Sequence, residues 1–197
     1  MNKFGDGISW DAHVQQIVDD NEKRGIPIYH GDNKPLLIEA LQYIKTDTEV
    51  SKRKALDAGC HMGRWVDIIE KLGFEYTGAD QSTPALEFAR KNRPNAKFHQ
   101  SMLWELPFEN EFDFALCNAV LQHNQLSEQE KIVPRIFAAL KSGGVFFFAE
   151  STLRQNTATQ RTQDGWIALA ESAGFKFVKS FHKNELGIED QYIFIKP

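Results

Sequence analysis

Asp57, followed by Gly59 and Gly63, is the first group of residues whose types and spacing suit a chemical task. Glycines in a strand-to-helix turn let a ligand approach the backbone, and the start of a helix offers N–H groups without intrahelical partners. A dinucleotide fingerprint would need glycine at 59, 61 and 64, but His61 and Arg64 stand at two of those positions, and no Gly-Lys-Ser/Thr phosphate loop is present. Asp80 follows Gly59 by 21 positions. That is close to the roughly 20-residue offset at which an acid takes ribose hydroxyls in nucleotide-binding α/β folds. His123 is the best general base by residue type, with an ordinary pKa of about 6.5. The six histidines (13, 30, 61, 99, 123 and 182) show no metal-ligand spacing, so no metal is expected.

These residues need elements to position them. Ser9–Arg24 reads as a helix capped by Ser9 and closed by Gly25, and Pro35–Lys45 as a second amphipathic helix. From Lys54 onward, short apolar runs alternate with helical stretches. Strands are expected at Ala55–Ala58, Phe74–Ala79, Ala96–Gln100, Phe112–Cys117 and Val145–Ala149. Helices are expected at Trp65–Leu72, Pro84–Asn92 (capped by Ser82 or Thr83), Glu128–Leu140 (stopped by Gly143–Gly144) and Asp164–Ala173. Phe175–His182 and Tyr192–Lys196 read as a final antiparallel pair. This alternation predicts a doubly wound α/β sheet, with its functional crevice at the carboxyl ends of the strands.

Composition narrows the function classes. The chain has 197 residues, with 23 Lys and Arg against 27 Asp and Glu, a formal charge of −4. It is 42% hydrophobic, with 15 Phe and 4 Trp, enough for a sizeable core. The acidic balance disfavours nucleic acid, and the one basic run, Lys52-Arg53-Lys54, reads as solvated. Two cysteines, Cys60 and Cys117, make no disulfide framework, and no apolar run approaches the roughly 20 residues that span a bilayer. A cytoplasmic protein without a membrane segment or a signal peptide is expected.

With these motifs in view, the sequence resembles the class I S-adenosylmethionine-dependent methyltransferases over about Lys54–Pro197. Asp57, Gly59 and Gly63 match the family's Asp-x-Gly-x-Gly-x-Gly motif, with His61 replacing the middle glycine. The segment Phe74 to Ser82 looks like the second strand with its terminal acid. Leu106-Pro107-Phe108 and the segment Phe112 to His123 look like the approach to the fourth strand, that strand and its turn. Leu140-Lys141-Ser142-Gly143-Gly144 resembles Leu-Lys-Pro-Gly-Gly.

The resemblance implies a mostly parallel seven-stranded Rossmann-like sheet of order 3-2-1-4-5-7-6, its last strand antiparallel. Residues 54–197 would form the cofactor domain, with residues 1–53 a helical cover contributing to the substrate pocket. S-adenosylmethionine is the implied cofactor, S-adenosylhomocysteine the product, and a small molecule the methyl acceptor. Asp57, Gly59, Cys60, His61 and Gly63 would surround the methionine end, Asp80 and Gln81 the ribose and adenosine, and Ser101, Met102 and Leu103 the adenine. Asn118 and Ala119 would lie near the transferred methyl, where the Asn118 amide orients a substrate or holds the cofactor's amino group.

His123, His30 and Tyr29 are the candidate bases. Gly25–Lys34 and Ser151–Gln163 are the candidate substrate-pocket segments. If the backbone at residue 61 needs positive φ, His61 carries a strain that glycine avoids. Two other outcomes stay open: a catalytically silent module binding the cofactor or its product, and a methyltransferase acting on protein or RNA. Monomer and homodimer are both compatible with the sequence.

Overall fold

A strand can be apolar at every position, as Val145–Ala149 is, only when both its faces are covered. The structure, a computed structural model describing residues 9–24, 34–150, 159–182 and 190–197, covers them. Its strands are β1 (Lys54–Ala58), β2 (Glu75–Asp80), β3 (Lys97–Gln100), β4 (Phe112–Asn118), β5 (Leu140–Glu150), β6 (Lys176–His182) and β7 (Asp190–Ile195). They form one seven-stranded sheet of order β3-β2-β1-β4-β5-β7-β6. β7 runs antiparallel to β5 and β6, and the other pairs are parallel, as the sequence predicts.

The helices are α1 (Trp10–Arg24), α2 (Lys34–Leu41), α3 (Val66–Lys71), α4 (Thr83–Asn92), α5 (Leu126–Ala139) and α6 (Gln163–Ser172). Residues of β5 alternate between two cores. Phe146 and Phe148 pack with Ile132, Val133 and Ile136 of α5 and Trp166 of α6. Val145, Phe147 and Ala149 pack with Leu37 and Ala40 of α2 and Val66 and Ile69 of α3. Helix α1 adds a third layer, with Val14 and Val18 packed on Met62, Ala85 and Phe88. That seats α1 on α4 and on the turn after β1.

Local chemistry sets several element ends. Ser82 caps α4, its hydroxyl accepting from the Ala85 N–H at 3.4 Å. Glu128 reaches back to the Gln125 N–H at 2.8 Å, which starts α5 two residues before the expected Glu128. β5 begins at Leu140, ahead of the diglycine expected merely to stop a helix. Gly143 has φ 77°, and a Cβ there would lie 2.5 Å from the Lys45 carbonyl oxygen. The glycine lets the segment after α2 hydrogen-bond directly to β5, through Lys45 N–H to Gly143 C=O at 2.9 Å.

The amino-terminal edge of the sheet is fastened by Asp113, a fully buried carboxylate. It accepts from the Thr46 hydroxyl at 2.6 Å, the Lys54 N–H at 2.9 Å and the Lys141 ammonium at 3.1 Å. Burial alone would raise its pKa, but the hydrogen bonds from Thr46, Lys54, Thr48 and Lys141 together hold it below the ordinary value of 3.8. A lowered folded pKa adds stability above the unfolded value, and that stability is lost as pH falls through the folded one. Asp113→Ala should lower the unfolding free energy by about 2–3 kcal/mol at pH 7, read by urea titration. The deficit against wild type should narrow below pH 4 as the wild-type carboxylate protonates.

Candidate functional site

The carboxyl ends of β1, β2 and β4 converge on one crevice, and the turn after β1 is its floor. Three of its residues have positive φ: Gly59 at 85°, His61 at 49° and Gly63 at 74°. A Cβ on Gly59 would lie 2.4 Å from Cγ2 of Val120, so this turn and the one after β4 meet across a bare glycine face. Gly59 and Cys60 both donate their N–H to the Ala79 carbonyl, at 2.8 and 3.1 Å, which ties the turn to β2.

Asp80, buried at the end of β2, uses both carboxylate oxygens on backbone. Oδ2 accepts the His61 N–H and Oδ1 the Ser82 N–H, each at 2.9 Å. Burial raises its pKa, while the backbone hydrogen bonds from Ser82, His61 and Gln81 pull the other way. Gln81 lies half-buried beside it, and its carbonyl accepts from Gln100. The strain expected at His61 is present, offset by that charge-assisted bond.

Asp57 is 2% exposed and accepts the Tyr76 hydroxyl at 2.7 Å. Burial pushes its pKa up to about 7, Tyr76 and Arg64 opposing and Asp80 adding to the rise. The remaining positions divide by what they face. The Cys60 thiol turns into the core, filling the space that Gly78 leaves: a Cβ there would sit 2.7 Å from Sγ. Cys60 therefore serves the site by packing. Burial pushes the Cys60 and Cys117 thiols well up, so both stay protonated packing groups. Leu103 likewise belongs to the core, while Met102 beside it is 38% exposed. Ser101 donates its N–H to the Asp80 carbonyl at 3.1 Å, and its hydroxyl is buried without a partner. Asn118 ends β4 with its Oδ1 also buried and unpartnered, and Ala119 follows at φ 56°.

Two residues that sequence reasoning missed shape the turn after β4. The buried Glu150 carboxylate accepts the N–H groups of Val120, Leu121 and Gln122 at 3.2, 2.9 and 3.0 Å. From the other side, the buried Gln129 side chain donates to the carbonyls of Leu121, Asn124 and Thr159 at 3.0, 2.9 and 2.6 Å, and accepts from Arg161 at 2.8 Å. An acid closing an otherwise apolar strand was a signal for Glu150; Gln129 gave none. His123 lies in this turn, half-buried, with Nε2 3.4 Å from the Gln122 amide nitrogen. Tyr29, His30 and residues 151–158 lie outside the described residues. Among the described residues, no group of three His, Cys, Asp or Glu could hold a metal ion, and no helix is long and apolar enough to cross a membrane.

The sheet order and the turn define a Rossmann-like methyltransferase fold, and residues 55–144 match the family model described as "Methyltransferase domain". That match covers somewhat under half of the chain, and together with the fold it supports a class I S-adenosylmethionine-dependent methyltransferase with S-adenosylmethionine as cofactor. It is 32% identical over 128 residues to a trans-aconitate 2-methyltransferase of Delftia acidovorans, covering 62% of this chain and 47% of that protein. It resembles a TehB-like methyltransferase structure from Corynebacterium glutamicum, with a TM-score of 0.72 at 20% identity, covering 94% and 99% of the two chains. It also resembles the S-adenosylmethionine-bound magnesium protoporphyrin IX methyltransferase of Synechocystis, with a TM-score of 0.68 at 15% identity, covering 93% and 97%. The chain spans between 45% and 61% of the first curated relatives it matches.

Asp57 has a folded pKa above its ordinary 3.8. Its stabilising effect is therefore fully present below the unfolded value and lost as pH rises through about 7. Urea titrations from pH 4 to 8 should show stability declining across that window, and Asp57→Asn should remove most of the decline. At position 61, Val should destabilise by about 2 kcal/mol, because a β-branched residue tolerates positive φ poorly, while Gly should stay within about 1 kcal/mol of wild type. Thermal melts of the two variants check this.

Proposed function

We propose that this chain transfers a methyl group from S-adenosylmethionine to a small-molecule acceptor through a nitrogen, oxygen or carbon nucleophile. The observation that carries the reading is the pair of buried orphan atoms, Ser101 Oγ and Asn118 Oδ1, on either side of the glycine turn and Asp80. An unsatisfied buried polar atom costs about 1–3 kcal/mol, so their recurrence at one crevice fits a polar ligand. The residues present suit the cofactor. Asp80 accepts backbone N–H groups of His61, Ser82 and Gln81, and its two oxygens keep capacity for a ribose hydroxyl. Gln81 stands beside it. Ser101 offers a hydroxyl to the adenine edge, and the exposed Met102 an apolar face.

Gly59, His61 and Gly63 bring the backbone close to the methionine end. The buried carboxylates of Asp80 and Glu150 make the crevice suit a cation. When bound, S-adenosylmethionine supplies a methyl already activated on a sulfonium. What remains for the protein is alignment, which can supply roughly 7–11 kcal/mol of a barrier. Asn118 and Ala119 orient the acceptor, and His123, His30 or Tyr29 takes a proton where the nucleophile is a hydroxyl or carbon acid.

The trans-aconitate relative favours a metabolite as acceptor. In this reading residues 1–53 cover the acceptor pocket, supported by the packing of α1 on Met62, and the protein works in the cytoplasm without nucleic acid, as monomer or homodimer. Titration calorimetry should show binding of both S-adenosylmethionine and S-adenosylhomocysteine, and Asp80→Ala should weaken it at least about tenfold. No heat with either ligand would sink the proposal. Binding without label transfer across a metabolite panel would leave a silent module in its place.

A further inference from the structure

The amide of Gln191 has no place in the cofactor site, and the fold gives it none in the core. It is 2% exposed, and its Oε1 is buried without a hydrogen-bond partner. Strand register relates it to the other orphan amide. Asn118 pairs with Ala149 across β4 and β5, and Ala149 pairs with Gln191 across β5 and β7. Residues paired across adjacent strands share a face of the sheet. Asn118, Ala149 and Gln191 therefore form one row at the carboxyl ends of β4 and β5, with Phe181 of β6 next in line.

Two strand spacings, about 10 Å, separate the flanking residues, and the methyl-sized side chain of Ala149 stands between them. Asp57 lies on the same face one step deeper, since its register partner Leu116 precedes Asn118 by two residues. A leucine at 191 would fill the same volume with no buried carbonyl left wanting. The row thus presents two carbonyl oxygens that lack donors, beside a buried carboxylate.

We propose that Asn118 and Gln191 form a two-carbonyl seat for an N–H or O–H donor on the methyl acceptor. The acceptor is then an amine- or hydroxyl-bearing molecule, held by Gln191 on the side away from the cofactor. This rests on the methyltransferase reading above and deepens it by naming the substrate class. Gln191 acts as a specificity-determining residue. Bare carboxylates are refused, because two carbonyl oxygens turn the negative ends of their dipoles toward an anion.

The test uses the ¹⁵N-labelled full chain saturated with S-adenosylhomocysteine, with the Gln191 side-chain amide signals assigned by their loss in Gln191→Leu. Benzylamine should move those signals and benzoate should not. In the absence of ligand, Gln191→Leu should melt about 2–4 °C above wild type, since it removes an unsatisfied buried carbonyl. Its affinity for S-adenosylhomocysteine should stay within about twofold, because two strand spacings, about 10 Å, separate it even from Asn118, the nearest residue of the cofactor site. Still signals with benzylamine, a response to benzoate instead, or a lower melting temperature for Gln191→Leu would overturn the seat. If wild type fails to bind S-adenosylhomocysteine, the methyltransferase reading falls. The benzylamine titration and the melting comparison on the ligand-free chain then still decide the seat.

Discussion

One buried carboxylate holds the crevice in shape. Asp80 divides its two oxygens between the His61 N–H of the turn after β1 and the Ser82 N–H that opens α4. His61 sits at φ 49°, a conformation that L-residues avoid, and a hydrogen bond to a charged acceptor offsets such strain. Gly59, two residues earlier, can then lie flat against Val120 because it has no side chain to clash. The floor of the site is held by that anchoring point together with the Gly59 and Cys60 N–H bonds to the Ala79 carbonyl.

The far wall is built on the same principle. Backbone N–H and C=O groups of residues 120–124 do not pair in a sheet or a long helix, and buried peptide groups must pair with something. Glu150 takes three of the N–H groups, and Gln129 takes two of the carbonyls. A loop held from both sides by buried side chains is preorganised, which suits chemistry that depends on alignment. The opposite edge of the sheet uses a buried carboxylate differently. Asp113 is matched by hydroxyls, an N–H and the Lys141 ammonium, and keeps its charge. Asp57, deeply buried with one hydroxyl to bind, is pushed toward neutrality against the opposing charge of Arg64. Fastening and function are separated between the two ends of the strands.

Much of this was legible in the residues. The unbroken apolar run Val145–Ala149 required two covered faces, and the alternation of apolar runs with helical stretches required crossovers. The sheet order followed from the family resemblance. Ser82 was readable as a cap because capping depends only on neighbours three residues away. The diglycine misled because its role is set by a partner about a hundred residues distant. Gly143 looks like a local helix stop, yet its bare face admits the Lys45 carbonyl and lets β5 start early. Cys60 looked like a crevice residue because it follows the glycine, but only the packing against Gly78 and Tyr76 turns its thiol inward.

By itself, then, the sequence determined the elements and the acid-and-glycine turn between β1 and α3, since these follow from periodicity and short-range spacing, while the sheet order came from the family resemblance. Only the tertiary structure decided which polar side chains are used up and which are left over. Asp80, Glu150 and Gln129 bond to backbone groups as far as 30 residues away in sequence, while Ser101, Asn118 and Gln191 keep buried atoms with nothing to bind. Hydrogen-bond satisfaction is a property of three-dimensional neighbours, and strand register aligns Asn118 with Gln191 across 73 positions of chain. No local pattern carries that distance.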